Sequence, residues 1–584
     1  MGEEKTKIVQ LRNNEYYCMQ EEFDVLNKRS KNNYVFHDLM KYINEENNIR
    51  LAYRNIKNND GRKARGLSGK NMDFISNMKF YKYLKNTKKQ LENYTPSMIK
   101  RVGIPKSNGK IRYLGIKEPI DKIVEQATYQ VLSPILISKF HNNSNGFIEG
   151  RSCSRAISQM TNYIVKEKLY YMVDIDIKGF FDNIDHGKLL KQLWQLGIRD
   201  KNLLSIISKM LKAEVKGVGI PNKGTPQGGI LSPLLANVVL NELDWWLDSK
   251  KNKGIRFVRY ADDFKILCPT YQIASDMLGK TTIWLKKRLK LEVSEEKTKI
   301  VNLKKTNSYF LGFRFKLKKH KSTLKVVSNM TEKAIKNTTD KLKKQVREIK
   351  RNKWNKKKCK EEIDKYNSMV IGIHGYYCKA VNISRNLHKL GFIINTYINR
   401  NFLGVLTFEE DIKEDNFIVK TYGKEIPYIR GRPLALIEKV KYQEPRYKGN
   451  KIDYYNNKSR NEFYKELKIK NLYMIEVILK NPYLDETVEY NDNVISKFCG
   501  QLGKYAFTNK MILNISNLKI VKRKNIAFNN KYDNIILVEN KVKELIEKKE
   551  VDDLIEIIRL KKGLTSKQLD EINKIRKENN LLTI

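Results

Sequence analysis

Up to about residue 100 the apolar positions predict helices with polar joints, among them NNDGRKARGLSGKN, whose glycines and short polar residues mark a loop. From KRVGIPKSNGKIRYLGI to YFLGFRF the pattern changes, and short strands alternate with helices. RVGIP and KIRYLGI flank the turn KSNG as a hairpin. LYYMVDIDI and IRFVRYADDFKILC are rich enough in apolar and β-branched residues to be central strands. Strands and helices in that order predict an α+β domain. After residue 316 the strands largely disappear: TEKAIKNTTDKLKKQVREIKRN and KKKCKEEIDKYNSMVIGIHGYY carry apolar residues at helical spacing with basic residues between them. Near residue 405 a loop-rich stretch begins, YGKEIPYIRGRPLALIEKVKYQEPRYKGNKIDYY, in which Arg, Lys and Tyr interleave.

Composition sharpens this outline. A chain of 584 residues is too long for one core, and ordinary domain sizes suggest about three or four units. Its 114 Lys and Arg against 65 Asp and Glu give a formal charge of +49, which repels itself without an anionic partner; nucleic acid fits that need better than a merely lysine-rich surface. On the helices after 316 the same charges suit a solvated face and an RNA-facing one equally well. No apolar run reaches the length of a spanning helix, and MGEEKTKIVQLRNNEYY has no signal-peptide core, so a membrane is not expected. The six cysteines stand singly, which predicts reduced thiols in a cytosolic protein and neither disulfides nor a zinc knuckle.

The candidate chemistry lies in carboxylates. In VRYADDFKIL, Asp262 and Asp263 sit side by side in an apolar, strand-like run. Alone, this is as readily a surface turn with two solvated acids as a metal site. Upstream, VDIDIKGFFDNIDHGKL alternates Asp174 and Asp176 with Val173, Ile175 and Ile177. Residues two apart on a strand share a face, so two such strands lying side by side would gather three carboxylates. A cluster of that kind needs cations, and two metal ions meet the need in in-line phosphoryl transfer.

DIKGFFDNI, GTPQGGILSPLLANVVLNELD and RYADDF, in this order, resemble the reverse transcriptases encoded by bacterial group II introns, which double as splicing maturases. NNDGRKARGLSGKN, IPKSNGKIRYLGI, NGFIEGRS, LKLEVSEEKTKI and YFLGFRF extend the resemblance over roughly residues 30 to 400. It implies a right-hand polymerase, with fingers and palm in 1–315, an α-helical thumb or maturase domain in 316–405, a DNA-binding region in 406–480 and an endonuclease-like tail in 481–584. It implies that Asp176 and Asp262 hold two Mg²⁺ ions with Asp263 assisting, and that Asp174 and Asp182 have structural parts. Phe181 falls where the aromatic under the nucleotide sugar excludes a 2′-hydroxyl. Lys106, Arg112, Gln227 and Lys297 match nucleotide-binding positions, and Gly228, Gly229 and Gly312 match primer and template positions. Gly375, Tyr376 and Tyr377 replace in part the family's Gly-Trp-x-x-Tyr-Phe-like pattern, while His374 reads as packing.

The implied partners are group II intron RNA, a DNA target or primer and dNTPs, in a bacterial cytoplasm; the resemblance admits a homodimer. Many relatives end in a His-Asn-His endonuclease. Here no histidine follows His388, Cys499 is the one late cysteine, and Tyr505 stands in GKYAFTNK where a cysteine is expected. A folded but catalytically dead remnant is therefore expected, as a metal site needs several ligands. The functional expectation is an RNA-directed DNA polymerase that assists splicing and copies its intron during retrohoming. The rivals are a domesticated reverse transcriptase with a host role such as antiviral defence, and a non-polymerising maturase.

Overall fold

The structure is a computed structural model that describes residues 12–105, 109, 111–321, 323–408, 417–423, 425–445, 447, 453–463, 472–526, 529–549 and 554–584. Its elements that matter here are, in chain order, α1 (Glu46–Ile56), β1 (Lys100–Pro105), β2 (Ile111–Ile116), α2 (Pro119–Ile137), α3 (Cys153–Lys166), β3 (Tyr171–Ile175), α4 (Ser232–Asp248), β4 (Arg256–Tyr260), β5 (Asp263–Cys268), α5 (Tyr271–Trp284), β6 (Lys299–Asn302), β7 (Ser308–Phe310), β8 (Phe313–His320), β9 (Thr323–Met330), α6 (Glu332–Arg351), α7 (Lys356–Tyr377), α8 (Ile383–Asn401) and α9 (Val488–Gly500). They fall into two compact units that interleave along the chain. One draws on Phe140–Phe180 and Val239–Lys451, the other on Ile8–Lys139, Phe181–Val238 and Ile452–Ile584.

In the first unit an antiparallel sheet runs in the order β4-β5-β3-β6. The apolar residues of β3 explain its central place, for Met172, Val173 and Ile175 are all buried. α3 packs on β4 and α5 on β3, β5 and β6. Ser152 and Thr270 set where these helices begin by accepting the backbone N–H of Arg155 and Ile273. A second sheet, β7-β8-β9, leads into α6, α7 and α8, and α6 turns Leu342, Val346 and Ile349 inward at helical spacing while its lysines stay outside. The β8–β9 hairpin corrects the expectation that strands largely end at 316, since it pairs fully from Phe313↔Met330 to His320↔Thr323. Its distal part is exposed on both faces and rich in lysine, so no apolar alternation announces it.

The second unit holds the β1–β2 hairpin, paired from Lys100↔Ile116 to Pro105↔Ile111, and the long apolar helix α2. The C-terminal stretch belongs here as well. Strands Leu518–Lys522 and Ile535–Glu539 pair antiparallel, and Val521, Ile536, Val538, Val542, Ile546, Ile572 and Ile575 form an apolar cluster of their own. All six cysteines are free thiols. Among the described residues no helix is long and apolar enough to cross a membrane.

Candidate active site

The β4–β5 hairpin turns on two residues, because Tyr260 pairs with Asp263 and leaves Ala261 and Asp262 at the tip. Ala261 has φ 57°, the sign that a primed hairpin turn requires at its first position and one that a residue with a Cβ adopts only when held there. The surroundings hold it. Arg259 donates from Nη1 to the Ala261 carbonyl at 2.8 Å and is fully buried against Asp244, with Nε to Oδ1 at 2.7 Å. Asn145 donates its N–H to the Arg259 carbonyl at 2.8 Å, and a Cβ added to Gly146 would run into the Ala261 backbone. Gly146→Ala is accordingly expected to displace the acidic turn and lower turnover about a hundredfold, the usual cost of a misplacement near 1 Å; steady-state nucleotide incorporation measures it.

β3 pairs with β5 through Asp174↔Lys265 and Ile175↔Phe264, so the pairing ends one residue before Asp176 on one strand and one residue after Asp263 on the other, next to the turn that carries Asp262. Asp176 is anchored where β3 ends: its carbonyl accepts from Ser294 N at 2.7 Å, and its carboxylate pairs with Lys297 at 3.1 Å. Lys265 lies between two acids, 3.3 Å from Asp263 and 3.5 Å from Asp174. Burial raises the Asp263 carboxyl above the ordinary aspartate value; Lys265 opposes this, while Asp174 and Asp262 add to it. Asp174 is also raised by burial and opposed by Lys265, and it accepts from the Ser308 hydroxyl. That buried, bonded setting gives it a structural part.

The donor set suits a hard divalent cation, which takes carboxylate oxygens. Among the described residues no three His, Cys, Asp or Glu side chains are gathered closely enough to enclose a metal by themselves. A cation here would therefore complete its coordination with substrate phosphate and water, as Mg²⁺ commonly does. Lys265 and Lys297 offset part of the charge of Asp263 and Asp176.

Other expected site residues cluster within the second unit. Gln227 is a bridge: its Oε1 accepts from Arg112 Nε at 2.8 Å, and its Nε2 donates to Asp182 Oδ1 at 3.2 Å. The loop around it is tied to Phe181, whose carbonyl accepts from Thr225 N at 2.7 Å. Gly228 has φ +100°, and a Cβ on Gly229 would press on Ser232 and Glu125, so both glycines also answer to needs within the chain. Lys106 lies outside the described residues. In the first unit Gly312 has φ +78° and packs against the Tyr377 hydroxyl, while Tyr376 donates to the Leu311 carbonyl at 3.0 Å. His374 pairs through its ring nitrogens with the Ile437 carbonyl and Tyr422, and burial lowers its pKa.

Sequence reasoning missed Arg259, Asp244, Gly146 and Lys265, although all four lie within the quoted segments and surround the acidic turn. One signal was available: Arg259 inside an apolar strand requires a buried acid.

Residues 104–315 match the family model described as reverse transcriptase (RNA-dependent DNA polymerase), and both acidic strands lie inside that match. This stretch is similar to reverse transcriptase domains. Over a longer span the chain is 29% identical to the group II intron-encoded protein LtrA of Lactococcus lactis subsp. cremoris, covering 50% of this chain and 59% of that protein. It is 29% identical to protein YkfC of Escherichia coli (strain K12), over 42% of this chain and 74% of YkfC, and 24% identical to the putative COX1/OXI3 intron 1 protein of Saccharomyces cerevisiae, over 64% and 53%. The chain spans about three-fifths of the length of LtrA. Among solved structures, apo telomerase from Candida tropicalis is similar at 13% identity over 53% of this chain and 64% of that one, with a TM-score of 0.34.

Proposed function

We propose that this chain is an RNA-directed DNA polymerase that binds its group II intron RNA, assists splicing and copies the intron into cDNA during retrohoming, in a bacterial cytoplasm. The observation that carries the reading is the β3–β5 pairing, whose last pair, Ile175↔Phe264, adjoins both Asp176 and Asp263 within the reverse transcriptase match. Fingers and palm would occupy 1–315, the thumb or maturase part 316–405, a DNA-binding region 406–480 and an endonuclease-like remnant 481–584.

Asp176 and Asp262 would hold two Mg²⁺ ions, with Asp263 completing the acidic surface. When bound, the metal supplies activation of the primer 3′-hydroxyl and charge stabilisation of the leaving pyrophosphate. Lys297 exchanges its carboxylate partner for a triphosphate oxygen. Arg112, whose fork matches phosphate geometry, and Lys106 clamp the triphosphate, and Gln227 holds Arg112 in place. Phe181 lies under the sugar and excludes a 2′-hydroxyl. Gly228, Gly229 and Gly312 line the path of primer and template.

Extension of oligo(dT) on poly(rA) with dTTP tests the reading; a purified chain that incorporates nothing at any divalent metal concentration refutes it. Phe181→Ala is expected to lower the preference for dNTP over rNTP by roughly tenfold or more, as removal of a shape constraint does; competing incorporation of the two substrates measures it. With no histidine after His388, the tail lacks a residue to activate water, so second-strand cleavage is not expected. Nicking of the bottom strand of a target duplex by the purified ribonucleoprotein would contradict this.

A further inference from the structure

The first unit carries a cleft that the polymerase reading does not use. It has a volume of about 410 Å³ and is lined by Trp246, Lys280, Ile283, Trp284, Lys287 and Arg288. Its floor is a pair of stacked indoles, Trp246 and Trp284, with ring centroids 5.3 Å apart and planes 25° apart. Ile283 forms an apolar wall and is 55% exposed. An exposed surface of this kind stays apolar only at a cost in solubility unless something covers it.

The rim indicates what covers it. Lys250 stands 5.5 Å from the Trp246 ring centroid, and Arg288 pairs with Glu242 and Lys280 with Asp276. Lys286 and Lys287 have no ion-pair partner among the described residues. Directly after Trp284 the helix widens into a π-helical turn, Leu285–Leu289, closed by Lys290 at φ 56°. This turn buries Leu285 and Leu289 and leaves Lys286, Lys287 and Arg288 exposed, the last two lining the cleft beside the indoles, and such turns recur at functional sites. Protein interfaces are depleted in lysine. Aromatic faces joined to lysines are instead the composition that holds single-stranded nucleic acid, with bases stacked on the rings and phosphates on the cations.

We propose that the Trp246–Trp284 cleft binds an unpaired nucleotide of single-stranded RNA, the base on the indole floor and the flanking phosphates on Lys280, Lys287 and Arg288. The site rests on the reading that the chain binds RNA, and it adds a contact outside the acidic site. Stacking makes it tolerant of base identity, and the lysines make it sensitive to salt.

The test uses the full chain and a fluorescein-labelled oligouridylate about 12 nucleotides long carrying 4-thiouridine. Photocrosslinks are expected on peptides containing Trp246 or Trp284. Trp284→Ala should weaken affinity by roughly tenfold, and Trp284→Phe should keep most of it. The Lys286→Gln/Lys287→Gln double variant changes only exposed side chains. It should flatten the salt dependence of binding by about one unit or more of log–log slope, which keeps the proposal testable should Trp284→Ala fail to fold. Wild-type binding that neither set of variants alters, with crosslinks elsewhere, overturns the site and leaves the polymerase reading standing. A wild-type chain that binds no RNA overturns both. Crosslinks from the matching oligodeoxynucleotide but not from RNA overturn the assignment, as does a wild-type dimer that Trp284→Ala converts to monomer with RNA affinity unchanged.

Discussion

Asp262→Ala is expected to lower dTTP incorporation on poly(rA)/oligo(dT) by about a thousandfold or more while leaving thermal unfolding nearly unchanged. Asp262 occupies the tip of a two-residue turn whose backbone is fixed from beneath by Arg259, Asp244 and Gly146, so removing its carboxylate leaves the turn's supports in place. On the proposed reading, what is lost is a ligand for the ion that offsets charge in the transition state. That ion is worth several kcal/mol, and about 4 kcal/mol corresponds to a thousandfold. Asp174→Ala should behave in the opposite way. Its carboxylate is buried against Lys265 and Ser308, so its removal takes one of two acids from a buried ammonium and the acceptor from a buried hydroxyl, and the melting temperature falls. Incorporation and differential scanning calorimetry on the two variants separate the roles; full activity in Asp262→Ala would refute the metal assignment.

The largest expected loss of stability comes from Asp492, in the other unit. It is 4% exposed on α9, and it accepts from Lys57 at 2.5 Å, from Arg54 at 2.9 Å and from the Tyr17 hydroxyl at 2.5 Å. Asp492→Ala leaves buried Lys57 with Glu489 as its one acid and Asn493 as a neutral acceptor, and Arg54 without its acid, and breaking such a network costs about 3–5 kcal/mol. A lowered urea midpoint with an unchanged slope would report it.

The same residue gives a pH dependence. Burial alone would raise the Asp492 carboxyl, but Lys57 and Arg54 outweigh it and hold the carboxyl below the ordinary aspartate value. A carboxylate whose folded pKa is depressed adds stability that is complete above its unfolded value, near about 3.9, and is lost as pH falls through the folded value. Unfolding free energy should thus be insensitive to this group at neutral pH and decline below about pH 4. Asp492→Asn should reduce that decline, as seen in urea titrations at a series of pH values.

Much of the acidic sheet was legible because its signals are local. Alternation in YMVDI and apolar, β-branched runs around YADD specify strands, and two acids two residues apart on a strand need no tertiary information to share a face. The β1–β2 hairpin was legible for the same reason, with KSNG between its strands. The β8–β9 hairpin was hidden because lysines occupy both of its faces beyond Leu317, and alternation carries a signal only where one face is buried. The Arg112–Gln227–Asp182 bridge joins positions up to 115 residues apart, and no spacing rule reaches across that distance.

By itself the sequence determined the residue types of the chemistry, the strands that bear them and an excess of positive charge suited to a polyanion, since each depends on side-chain identity or on neighbours within a few positions. Tertiary structure alone decided which strands pair, and so that β3 lies between β5 and β6 with Lys265 opposite Asp174. It also decided that Arg259 and Asp244 lock the turn, that Asp492 gathers Lys57 and Arg54, and that Trp246 and Trp284 stack on a lysine-rimmed cleft. These are long-range pairings, selected by burial and electrostatics only once the chain has closed the loops between them.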